Sequence, residues 1–224
     1  MTKVKICGIM QEEDIRACVK AGVHALGFVV EYPVDVPWNL DRGTAEKLLN
    51  FVPPFVYRVV VVGDEKEKVL ELAARLRPHA IQLHGNEALS TTKELTKRLH
   101  DLGIQVLKAL RFHVEKGSCL GENPDPLKAA EVMTKTGVDA IVLDSVSEKR
   151  PAGTGQKIDW GMARKIRDSL SIPLILAGGL TPENVNDAIA TVNPYGVDVI
   201  SGVESLPGKK DPFLIEAFVR ATLV

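Results

Sequence analysis

The chain has 224 residues, 45% of them hydrophobic and 25% charged, with a formal net charge of −1. That length and balance suit a globular chain built around one sizeable core. They exclude a global field strong enough to hold the chain on nucleic acid or an acidic membrane, and no run approaches the ~20 apolar residues of a membrane span.

Val4–Ile9 reads as a first strand and Gln11–Ala21 as the helix after it, with Ile15, Cys18 and Val19 on one face. A second strand, Ala25–Glu31, leads to a helix capped by Asp41. The third strand, Val56–Gly63, contains Val59-Val60-Val61-Val62. It is followed by the helix Lys66–Arg77, with Val69, Leu72, Ala73 and Leu76 at helical spacing. Strand Ala80–Gly85 leads to a helix capped by Asn86. Strand Gln105–Phe112 leads to a long loop, His113–Pro124. Strand Ala140–Ser145 is followed by a second long loop, Val146–Ile158, and a helix capped by Asp159. Strand Pro173–Gly179 precedes a helix with Thr181 as cap and Pro182 at its first position. Strand Gly196–Gly202 and a helix capped by Asp211 complete the pattern.

Most of these strands are apolar at successive positions, as strands buried on both faces are, and regular βα alternation implies a parallel sheet. Eight such units in 224 residues predict an α/β fold, a single-domain (β/α)8 TIM barrel over residues 1–224. An open doubly wound sheet is the competitor, but few residues remain for its usual extensions. Met1-Thr2-Lys3 runs straight into the first strand, so no signal peptide is expected. Cys7, Cys18 and Cys119 show no CxxC spacing. That fits a reducing, cytoplasmic compartment and argues against a structural zinc site.

Barrel enzymes place their chemistry at the C-terminal ends of the strands. Those ends carry Cys7, His84, Arg111, Asp144, Gly178-Gly179, and Asp198 with Ser201-Gly202. The glycines on neighbouring strands would let backbone N–H groups approach an anion, so a phosphate site at Gly178, Gly179, Ser201 and Gly202 is favoured over simple tight turns. Gly153-Thr154-Gly155 fits a substrate lid and a plain flexible loop equally well. Asp144 needs a partner or a function at the end of a buried strand, and Cys7 is either a small core residue or a base facing it. His84 orients a substrate or holds structure. Asp198 binds a substrate hydroxyl or makes a hydrogen bond inside the barrel.

The segments Lys5-Ile6-Cys7-Gly8-Ile9, Gln82-Leu83-His84-Gly85, Leu143-Asp144-Ser145, Ala177-Gly178-Gly179-Leu180 and Ser201-Gly202-Val203-Glu204, in this order, resemble the phosphoribosylanthranilate isomerase family of tryptophan biosynthesis. The resemblance spans the chain. It implies a cytoplasmic, cofactor-free and metal-free Amadori rearrangement of a small sugar-phosphate substrate, by a monomer or homodimer with no nucleic-acid or membrane partner. It further implies that Asp144 is the general acid and Cys7 the general base. One feature departs from the family. The loop Tyr32–Leu40 lacks the basic residue that often grips the anthranilate carboxylate there. Arg111 is the expected substitute, ahead of Arg42 and Arg150, because a carboxylate needs a donor fork. Trp38 either stacks on the aryl ring or packs on the surface. The alternatives are a sugar-phosphate isomerase of altered aryl specificity and a non-catalytic phosphometabolite-binding barrel.

Overall fold

The structure, a computed structural model, describes residues 1–146 and 158–223. Eight parallel strands carry the frame: β1 Lys3–Cys7, β2 Ala25–Val30, β3 Tyr57–Val62, β4 Ala80–Leu83, β5 Gln105–His113, β6 Ala140–Val146, β7 Leu174–Leu176 and β8 Gly196–Val199. Each pairs with its neighbours in sequence. β1 closes the ring by pairing with both β2 (Cys7 opposite Gly27) and β8 (Lys5 opposite Asp198). The predicted barrel is therefore what forms.

Alternate strand residues face opposite ways, and here both ways are dry. Val59, Ala80, Leu107, Ala140, Val142 and Ala177 fill the barrel interior. Phe28, Ile81, Leu83, Val106, Ile141 and Leu143 belong to the larger core beneath the helices. The uninterrupted apolar runs follow from this double burial.

The helices are α1 Glu12–Lys20, α2 Arg42–Phe51, α3 Lys66–Leu76, α4 Leu89–Asp101, α5 Pro126–Thr134, α6 Trp160–Ser169, α7 Val185–Val192 and α8 Pro212–Ala221. Asp41, Asp159 and Asp211 cap as expected, each accepting from two backbone N–H groups of the first turn. Two caps differ from expectation. Asn86 does not start α4. Ala88 stands at that boundary, and the Leu89 N–H donates to Glu122 in the β5–α5 loop. Thr181 does not start α7 either. Pro182–Asn184 form a turn, and Asn184 precedes the first helical residue. The Asn184 side chain accepts from the Thr181 N–H at 3.0 Å and donates to the Gly179 carbonyl at 2.9 Å, folding this turn back onto the end of β7. A local pattern of Thr-Pro cannot compete with that longer-range pair of bonds.

The loop 113–124 is a hairpin return, with Ser118–Cys119 antiparallel to the end of β5. Asn39–Leu40 extends β2 in parallel. Glu204–Leu206 and Lys209–Lys210 form a small hairpin after β8. These short pieces escape sequence reading because two or three residues carry no periodicity.

Candidate active site

The C-terminal ends of the strands surround a cavity of about 80 Å³. Cys7 enters from β1, His84 from just after β4, Asp144 from β6, and Asp198 from β8. Gly178 and Gly179 after β7 meet Ser201 and Gly202, which sit in a single 3₁₀ turn after β8. Eight of the nine expected site residues thus line one cavity. Arg111 lines a smaller adjoining one with Asn86 and Lys108, and its Nη1 donates to Asn86 Oδ1 at 3.3 Å. It pairs in register with Asp144.

Packing on the seam between β1 and β2 sets the position of the thiol. A Cβ on Gly27 would fall 2.5 Å from Cys7 Sγ, so only glycine leaves room for this side chain. The cradle after β7 and β8 is equally tight. A Cβ on Gly202 would fall 1.9 Å from the Leu180 carbonyl oxygen, and Gly178 and Gly179 both have left-handed φ. A side chain at Gly202 or Gly178 would push backbone apart at the rim, and one at Gly179 would be strained by its φ.

Asp144 and His84 meet across the mouth, with Nε2 3.4 Å from Oδ2. Asp144 Oδ1 accepts from the Ser145 N–H at 2.8 Å. On the other ring nitrogen, Gln82 Nε2 lies 3.3 Å from Nδ1. With that amide donating to Nδ1, the ring proton sits on Nε2 and faces the carboxylate. The Tyr32 hydroxyl donates to the His84 carbonyl at 3.0 Å.

Deeper in the barrel, Lys5 Nζ lies 2.6 Å from Asp198 Oδ2, both side chains buried. Asp198 Oδ1 is buried with no hydrogen-bond partner among the described residues, on a residue that lines the cavity. Burial pushes the Cys7 thiol up from its ordinary range, while Lys5 and Lys210 pull it down. Burial alone would lower the Lys5 ammonium, but Asp198 and Cys7 outweigh it and hold it above its usual value. By contrast, Cys18 and Cys119 are both pushed up to about 12, chiefly by burial. They behave as core residues.

Trp38 is buried rather than spread on the surface. Its ring would meet any Cβ at Gly8, and its Nε1 donates to Glu204 Oε1 at 2.7 Å. With Val29, Val61 and Tyr32 it forms the apolar wall beside Cys7. Arg42 is committed elsewhere. It makes two bonds to Glu31, at 2.6 and 2.8 Å, so it is not a donor for this site. Arg150 and Gly153-Thr154-Gly155 lie outside the described residues. Among the described residues, no group of three or more His, Cys, Asp or Glu is arranged to hold a metal ion, and no helix is long and apolar enough to cross a membrane.

Sequence reasoning missed Lys5, Gly27, Tyr32 and Gln82. Lys5 carried a signal, since a charged residue two places before Cys7 on an apolar strand must share its face. Gly27 had none, because its role depends on which strand lies opposite.

The chain matches the N-(5'phosphoribosyl)anthranilate (PRA) isomerase family over residues 4–221. It belongs to that family. The N-(5'-phosphoribosyl)anthranilate isomerase of Methanopyrus kandleri is 41% identical, with 99% of each chain covered. A crystal structure of phosphoribosyl anthranilate isomerase in complex with reduced 1-(o-carboxyphenylamino)-1-deoxyribulose 5-phosphate superposes with a TM-score of 0.79 at 35% identity, covering 100% of both chains. Monomers generated from the dimeric enzyme of Thermotoga maritima superpose at 0.80 with 33% identity, covering 100% of this chain and 99% of the other. The family match thus extends over the whole barrel, including every strand that contributes to the cavity.

Because Gly27 faces the thiol, Gly27→Ala is expected to cost about 1–3 kcal/mol by overpacking. Adding Cys7→Ala should recover part of it. Chemical denaturation of the two single variants and the double variant measures this coupling, and strictly additive costs would show that the thiol does not set the requirement for glycine.

Proposed function

We propose that this barrel isomerises N-(5′-phosphoribosyl)anthranilate to 1-(2-carboxyphenylamino)-1-deoxyribulose 5-phosphate, with Asp144 as general acid and Cys7 as general base. The observation that carries this reading is the placement of the two groups. Both line one cavity, on β6 and β1, with the glycine cradle on the intervening β7 and β8. A phosphate held by the cradle leaves the sugar between an acid on one side and a base on the other.

Asp144 gives a proton to the furanose ring oxygen as the C1′–O bond breaks, and the anilino nitrogen lone pair forms the C1′=N⁺ bond of a Schiff base. The Cys7 thiolate removes the C2′ proton. Those electrons form C1′=C2′, and the C1′=N⁺ pair returns to nitrogen, giving an enolamine. Loss of the 2′-hydroxyl proton and gain of one at C1′ give the ketone. Substrate and product are isomers, so no atom is gained or lost. A cationic Schiff base acidifies the C2′ hydrogen and helps a buried thiol to act as base.

The other residues fit the same substrate. Gly178, Gly179, Ser201 and Gly202 cradle the phosphate. The unpartnered Asp198 Oδ1 accepts from a sugar hydroxyl. His84 holds Asp144. Trp38, Tyr32 and Val29 flank the aryl ring, and Arg111 binds its carboxylate from beside the cavity. Three unpaired thiols agree with a cytoplasmic enzyme.

A homodimer fits the opposite end of the barrel. Phe55 is fully exposed and holds a left-handed φ of 69°, a costly combination for a bulky residue. It borders a concavity of about 480 Å³ lined also by Tyr57 and Tyr195. An exposed aromatic beside a recess is self-complementary under twofold symmetry, and the Thermotoga maritima relative is a dimer.

Cys7→Ser and Asp144→Asn should each lower kcat by about 10²-fold or more, followed by the fluorescence change on turnover of freshly generated phosphoribosylanthranilate. Near-normal turnover in either variant would remove that residue's role. Arg111→Ala is expected to raise KM with kcat little changed, as for lost uniform binding; an unaltered KM would place the carboxylate elsewhere. Phe55→Asp should shift the sedimentation coefficient from dimer to monomer, whereas a wild-type monomer would refute the dimer.

A further inference from the structure

Lys5 is buried, and a lone ammonium is costly to bury. Its known partner is Asp198, opposite it in register and 2.6 Å away. A structural ion pair would need nothing more. Two observations go further. Lys5 and Cys7 lie two residues apart on β1, so both side chains point into the barrel and share one face of the strand, with Asp198 opposite Lys5 in register. In addition, Asp198 uses only Oδ2 on Lys5 and leaves Oδ1 without a partner beside the cavity. One cation therefore sits beside two potential anions, a carboxylate it binds and a thiol on its own strand face.

Building on the reading of Cys7 as base, we propose that Lys5 is a positioning residue for it. The ammonium, shared between Asp198 and the thiol, holds negative charge on the Cys7 sulfur and sets the pH range over which the base works. Asp198 competes for the same cation, so it tempers the effect while presenting Oδ1 to the substrate.

The charges around Cys7 are few. Lys5 lies on its own strand, Asp198 on β8 and Lys210 on the hairpin after β8. Lys210 is already bound to Glu204 Oε1 at 2.8 Å and to the Ile200 carbonyl. From β2, β3 and the loop after β2, the thiol meets Val29, Val61 and Trp38, and it packs on Gly27. None of these can replace Lys5 as a source of positive charge. During the reaction, the thiolate takes the C2′ proton and becomes neutral, so Lys5 returns to Asp198 alone. The pair thus holds a counter-charge in both states without moving a proton of its own.

The test uses the free enzyme and needs no substrate. The rate of Cys7 carbamidomethylation by iodoacetamide, read by mass spectrometry of the peptide containing Cys7, is followed against pH in three chains. Lys5→Met should move the profile to higher pH and lower the rate near neutrality about tenfold or more. Asp198→Asn should move it the opposite way, because the cation is then undivided. Opposite shifts would be unexpected of a merely structural pair. Unchanged profiles, or shifts in the same direction, overturn the proposal. If Lys5→Met does not fold, Lys5→Gln is read in its place, since it removes the charge and keeps a polar donor for Asp198; an unshifted profile there overturns the proposal. If Cys7→Ser turns over normally but the two profiles shift apart, the base assignment fails while the electrostatic coupling stands.

Discussion

β1 is hydrogen-bonded along both edges, to β2 and to β8, and the rest of the molecule depends on that closure. A parallel sheet left open would expose two edges and would need other cover for them. Closure removes both and creates an interior separate from the layer beneath the helices. Small and branched residues fill the inner layer, which leaves its upper end for polar groups. The seam is also where the chemistry collects. Lys5 meets Asp198 on one side of β1, and Cys7 meets Gly27 on the other. The strand that completes the fold thereby fixes the thiol in register with its surroundings.

Among the described residues three lysines are buried, and each is paired with an acid: Lys5 with Asp198, Lys108 with Glu87, and Lys210 with Glu204. Such pairs are weak arguments for stability, since desolvation offsets much of their attraction. Their placement suggests position instead. Lys108 also donates to the Gly85 carbonyl and so ties down the loop that follows His84. Lys210 and Trp38 share Glu204, which joins the loop after β2 to the hairpin after β8. In these pairs a directional, costly interaction fixes loops that apolar packing alone would leave loosely specified.

The site combines opposed demands on one residue. Burial makes the Cys7 thiol a poorer acid, yet the same dry surroundings strengthen the pull of a nearby cation. The two effects meet on β1 within three residues. The base proposed at Cys7 would in this setting be protected from water and from bulk ions, and would gain most if the substrate itself became cationic.

Much was legible in the sequence because it depends on local pattern. Continuous apolar runs signalled strands buried on both faces, Asp41, Asp159 and Asp211 marked three of the eight helix starts, and eight βα units favoured a closed parallel sheet. Cys7, His84, Asp144, Asp198 and the paired glycines fell at strand ends, which the barrel gathers on one rim, and the ordered segments carried the family resemblance. Tertiary structure decided what depends on the neighbour across a strand. It set Gly27 against the thiol, Lys5 against Asp198, Asn184 against Gly179, and Glu31 against Arg42. It also placed Arg111 in the adjoining cavity and Asn86 under its guanidinium instead of at a helix start. The physical reason is that spacing along a chain fixes which face a side chain uses, whereas strand register fixes what that face meets.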